Sequence, residues 1–187
     1  MWQRTGIEEN IMSRYMSERE RDAWYTFLTA VETDDCATVV RLRGQFSGQR
    51  LGGALVEAAR YNSVNVLAEF FNNPIGCSVT YLHDAVMRSS ETGSADALQL
   101  VLQHTDPTRT AIYTLALWST LVHNHPQCID LLFDLSNTDD VLRLAHERGK
   151  KHNGAWDAFE QKIAERQKTV LTQEVGRTSD ARGVRKM

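Results

Sequence analysis

The side chains of this sequence best suited to chemistry are the pair His83-Asp84 and the run His123-Asn-His125-Pro-Gln-Cys128, with His104 a further candidate. Imidazole, thiolate and carboxylate all bind zinc and related divalent ions, so these residues invite a metal-dependent hydrolase using His83/Asp84 and His123/His125. His83 is the first histidine in the chain, so no histidine upstream of the His-Asp pair is available to share a metal with it. In the second run the apolar pattern turns Cys128 into a helix core and leaves His123 and His125 in the turn before it, a poor arrangement for one ion. No Gly-rich phosphate loop, carboxylate-rich metal loop, Gly-x-Ser-x-Gly elbow or Cys-Gly-x-Cys-Trp run is present. The residues therefore predict no enzyme, no cofactor and no metal.

Composition narrows the setting. The 187 residues are 42% hydrophobic and 24% charged, enough for one domain with a proper core. A formal net charge of -3 gives no general attraction to nucleic acid. No stretch approaches the apolar length of a membrane span, and the charged N-terminus lacks a signal-like run, so neither export nor membrane insertion is expected. Cys36, Cys77 and Cys128 are an odd number and each lies beside an apolar run, as reduced structural thiols do. That favours an intracellular, cytoplasmic protein.

Only three prolines interrupt the chain, at 74, 107 and 126, and apolar residues recur at three- and four-residue spacing almost throughout. The pattern predicts an all-α protein. Residues 5–16 place Ile7, Ile11, Met12, Tyr15 and Met16 on one helical face, and Ser17 with Glu20 has capping-box spacing before a second helix. Four segments then align from an apolar first position: Phe27, Leu55, Leu82 and Leu117, which are 28, 27 and 35 residues apart. Each has small or apolar residues at its fourth and fifth positions, then a turn containing Asp, Asn or Gly, then a second amphipathic helix. The third segment carries four extra residues, 89–92, expected to project before its turn. Asp35, Ser63 and Ser94 are placed to cap the second helices. Asn153 can cap a long last helix striped with Trp156, Phe159, Ile163 and Val170.

At these residues the chain resembles a diverged ankyrin-repeat protein. Thr80-Tyr-Leu-His83-Asp-Ala85-Val86 is similar to the family's Thr-Pro-Leu-His-x-Ala-Ala opening, with Tyr81 in place of proline, and Ala58-Ala59, Asn62 and Val66-Leu67 are similar to its core. The resemblance implies a short solenoid of four to five helix-turn-helix repeats with N- and C-terminal capping helices, in which His83 steadies a loop. It also implies a non-catalytic adaptor that binds another protein through exposed positions near the end of each first helix. Carried over by register, these are Glu32 and Thr33, Arg60 and Tyr61, Met87 and Arg88, and Val122 and His123. Arginine and tyrosine are enriched where interfaces concentrate their energy.

The expected organisation is an N-terminal helix and linker over 1–22, a repeat domain over 23–175 and a flexible basic tail over 176–187. The expected state is a monomer or weak homo-oligomer. One alternative to the adaptor is a structural subunit that self-associates through the last helix.

Overall fold

The computed structural model describes residues 16–74, 78–149 and 153–183, with side chains to residue 173. Over these residues the protein is all-helical, without a strand, and no helix is long and apolar enough to cross a membrane. The helix expected over 5–16 lies outside the described residues except for Met16, which is buried. Cys77 and the basic residues Lys150 and Lys151 lie outside them as well.

Helix α1 (Glu18–Glu32) starts where the Ser17/Glu20 spacing places it, each of the two side chains bonding to the other's backbone N–H. A turn leads into α2 (Cys36–Leu42), whose first turn is capped by Asp35 at 3.1 Å from the Thr38 N–H. Four further helices follow as α3 (Gly48–Arg60), α4 (Val64–Asn72), α5 (Val79–Thr92) and α6 (Ala95–Leu102). Next comes α7 (Thr110–His123), after which Pro126 opens a 3-10 turn that runs into the four-residue α8 (Ile129–Leu132). The chain continues through α9 (Thr138–Arg148) into α10 (Gly154–Gly183), capped by Asn153 as expected. Helix α1 crosses residue 22, and α10 extends through 176–183, a stretch read from the sequence as tail.

Like helices touch like. The series α1, α3, α5, α7, α9 forms consecutive contacts, as does the series α2, α4, α6. Between them lies a continuous core containing Phe27, Leu55, Leu67, Leu98, Tyr113 and Leu117, all almost fully buried. Close approach depends on small residues. A Cβ on Gly52 of α3 would collide with the Tyr81 ring of α5, so the aromatic ring uses the space a side chain would fill.

The turns set the register, and they correct one expectation. Left-handed backbone occurs at Asp34, Asn62, Gly93 and Asn124, at intervals of 28, 31 and 31 residues. Counted back from these positions, α3, α5 and α7 each begin 14 residues earlier, at 48, 79 and 110. There is no four-residue insertion. Residues 89–92 are the last turn of α5, and Ser89 and Ser90 are wholly buried in the places that Ala58 and Ala59 hold in α3. Their hydroxyls donate to the carbonyls of Ala85 and Val86 at 2.8 and 2.7 Å, which satisfies them inside their own helix.

Each turn is bonded to the next. The Asp34 carboxylate accepts from the Val66 N–H at 2.9 Å, Asn62 Oδ1 from the Ala97 N–H at 2.9 Å, and Asn124 Oδ1 from the Ala155 N–H at 3.0 Å. These amides stand in first turns, where a helix has no partners of its own, so each helix start is capped by the preceding turn. In return, Ser63 donates to the Val31 carbonyl at 2.6 Å, Ser94 to Arg60 at 2.9 Å and Asn153 to Leu121 at 2.9 Å. Ser63 and Ser94 were expected to cap their own helices; neither does, because its hydroxyl is turned back to the earlier turn. Gly93 has no side chain to reach forward. There His125 and Gln127 reach back, donating to the carbonyls of Glu91 and Gly93 at 2.9 and 3.0 Å.

Candidate partner-binding face

The turn ladder gathers the C-terminal ends of α1, α3, α5 and α7 into one row. Thr33 closes α1, its hydroxyl on the Thr29 carbonyl at 2.8 Å, and remains exposed. At the end of α3, the Arg60 guanidinium lies 5.4 Å from the centre of the Tyr61 ring and 3.4 Å from the Glu57 carboxylate. Tyr61 is 36% exposed. Partial burial, and after it the negative charge of Glu32, push its phenol pKa up, so the hydroxyl is a neutral donor at physiological pH. Val122 and His123 end α7, with the His123 ring exposed and its Nδ1 2.9 Å from the Ser119 carbonyl.

Met87 and Arg88 are displaced from this row. In the register set by Gly93 they lie one helical turn earlier, and the equivalents of Arg60 and Tyr61 are Glu91 and Thr92. Met87 is half-buried against the core, as Leu28 and Trp118 are at the same register. Arg88 is exposed, with its guanidinium 2.7 Å from Glu91. Thr92 instead joins the row directly, its hydroxyl 3.0 Å from the Arg60 carbonyl. Sequence reasoning missed Glu91 and Thr92 because it took residues 89–92 for a projection; the glycine at 93, spaced 31 residues from Asn62, carries the signal for the true register.

The residues considered for metal chemistry do not assemble. His83 stands ten residues before Gly93 on α5, about 15 Å along the helix from the level where His125 contacts Gly93. Its half-buried ring has no hydrogen bond among the described residues, so the loop-steadying bond expected of it is not formed there. The His123 and His125 rings are parallel with centres 6.5 Å apart, each engaged with a carbonyl of the helix ends. His104 is committed elsewhere, stacked on Phe71 at 3.9 Å. Cys128 is wholly buried and burial pushes its thiol up to about 11, which keeps it neutral and a poor ligand. Among the described residues no three His, Cys, Asp or Glu side chains are grouped to hold an ion.

No protein-family model, curated protein or solved structure matches the chain. The chemistry of the row therefore has to speak for itself. It offers an aromatic ring with a cation on its face, a neutral phenol, carboxylates and an imidazole on helix ends that the ladder holds in place. Such a surface can make hydrogen bonds, ion pairs and aromatic contacts to another macromolecule.

Proposed function

We propose that this chain is a non-catalytic protein-interaction module, an ankyrin-like solenoid of helix pairs that binds a partner protein through the row of first-helix ends. Support for the solenoid reading comes from the two series of like helices and from the turn-to-turn hydrogen bonds repeated along them. The observation that carries the binding reading is the Arg60–Tyr61 pair. Arginine stacked on a half-exposed tyrosine is an ordered, amphipathic anchor, and its neighbours Glu32 and Glu57 limit how far it rearranges. Ordering it in advance lowers the entropy lost when a partner binds. The free thiols of Cys36 and Cys128 support an intracellular setting.

The test is capture of partners by cross-linking in source cells, comparing wild type with Arg60→Glu/Tyr61→Ala. Both positions are exposed, so the thermal midpoint should move by no more than about 2 °C. A partner held by wild type and lost by the variant supports the reading. A partner held equally by both would remove this row as the binding face.

A further inference from the structure

The first half of α3, at the end of the helix away from the Arg60–Tyr61 pair, borders a cleft. Its volume is about 710 Å³, and Gln45, Ser47, Gln49, Arg50, Gly53 and Tyr81 line it. Two successive glycines shape it. Gly52 leaves the space in which the Tyr81 ring of α5 lies, so the ring becomes a wall of the cleft. Gly53 serves no such packing: a Cβ there would meet nothing within 4 Å and would stand on the cleft floor. Glycine inside a helix weakens it relative to alanine, and at Gly53 no contact within the protein offsets that weakness. The flat floor therefore points to something that lies on it.

We propose that the cleft takes an extended peptide segment bearing a carboxylate, its main chain over Gly53 and its carboxylate on Arg50. Arg43, Arg60, Arg88 and Arg143 all pair with carboxylates of the chain. Arg50 is half-buried, yet its guanidinium makes no hydrogen bond or ion pair among the described residues. Glu20 is near enough for the two charges to interact, but its carboxylate is tied to the N–H and hydroxyl of Ser17, each at 2.8 Å. The planar fork of Arg50 is left open, and a carboxylate is the group that fills it with two parallel bonds. No carboxylate lines the cleft among the described residues to compete. The carboxamides of Gln45 and Gln49, also unbonded there, each offer the donor and acceptor that a peptide main chain needs. A floor without a Cβ lets that main chain approach closely. Arg50 and Arg60 are ten residues apart, about 15 Å along α3, so this inference and the reading of the partner-binding row can fail separately.

The experiment is an NMR titration of the full chain with an acetylated, amidated peptide of alternating glycine and glutamate, beside the same peptide with glutamine for glutamate. Wild type should bind the glutamate peptide about ten-fold more tightly, the gain of one charge-assisted fork, with shifts centred on Arg50, Gly53 and Tyr81. Arg50→Gln should lower the affinity for the glutamate peptide to that for the glutamine peptide. Gly53→Leu should abolish binding of both while leaving the thermal midpoint no lower than that of wild type, since leucine favours a helix and its side chain would enter open space. Failure of both peptides to bind, equal binding of the two, or shifts away from the cleft overturns the proposal. So does a Gly53→Leu chain with a lowered midpoint, which would make the glycine a requirement of the fold. Inorganic phosphate that shifts the Arg50 signals where the glutamate peptide does not would overturn it as well.

Discussion

The turns at Asn62 and Gly93 share a left-handed backbone, with φ of 59° and 72°, yet they join their neighbours in opposite directions. Asn62 reaches forward to cap α6; Gly93 cannot, and the next turn reaches back to it through His125 and Gln127. The helix beyond each turn differs accordingly. After Asn62 the capped helix α6 is regular, whereas the segment opposite Gly93 begins as a 3-10 turn at Pro126 and yields only the short α8. One backbone geometry thus tolerates two ways of linking units, and the side chain at the left-handed position decides which is used.

Gly93→Ala should break the second kind of link most severely. A Cβ there meets the His125 ring and has to be carried at a φ that L-residues resist, together costing about 3 kcal/mol. In a chain of this size that is roughly a 10 °C fall in the thermal midpoint. Removing the ring should relieve part of it, so the same glycine change in a His125→Ala background should cost measurably less than in wild type. Strict additivity of the two changes would show that the ring does not exclude the Cβ.

Asn62 sharpens the comparison from the other side. Asn62→Ala loses both the cap of α6 and the residue's ease in the left-handed region, about 2 kcal/mol in all, while Asn62→Gly keeps the backbone free and should cost about 1 kcal/mol. Denaturant midpoints at constant slope would separate them; equal losses would mean that the cap alone matters at this turn.

The smallest effect concerns the ends capped from within. Hydrogen bonds from Ser17 to Glu20, and from Thr38 to Asp35, hold these exposed carboxyls below the ordinary carboxylate range. Their folded pKa values lie under the unfolded ones, so their stabilisation is present above the ordinary range and is lost as pH falls through the depressed values. Carboxyl titration by NMR should find both midpoints shifted down. An ordinary midpoint for Asp35 would remove the side-chain cap of α2.

The helices were legible because their signals are local. The Ser17/Glu20 box, Asp35 and Asn153 each act within their own helix, and all three work as their spacing suggests. What escaped was set by distant contacts. Ser89 and Ser90 fell among four apparently extra residues because the third segment was aligned from Leu82, yet inside a helix their hydroxyls bond to carbonyls one turn back, so they are buried in positions that alanine fills in α3. That one misreading shifted the third unit by a helical turn and moved Met87 and Arg88 onto a row where Glu91 and Thr92 belong. Ser63 and Ser94 misled for a related reason: a hydroxyl before a helix suggests a cap, but the neighbouring turn offered a better acceptor. On the candidate face, Arg60 and Tyr61 were readable from residue type, whereas their cation–π geometry depended on the fold.

The forward caps also tie exchange with solvent in one unit to the integrity of another. The amides of Val66, Ala97 and Ala155 are held by side chains from the turn about thirty residues earlier, not by their own helices. Deuterium reaches such an amide when either its own helix or the preceding turn opens. Fraying at one end of the chain is therefore recorded in the exchange of the adjacent unit, and these three protons form a set of reporters, spaced along the molecule, for how far an opening travels.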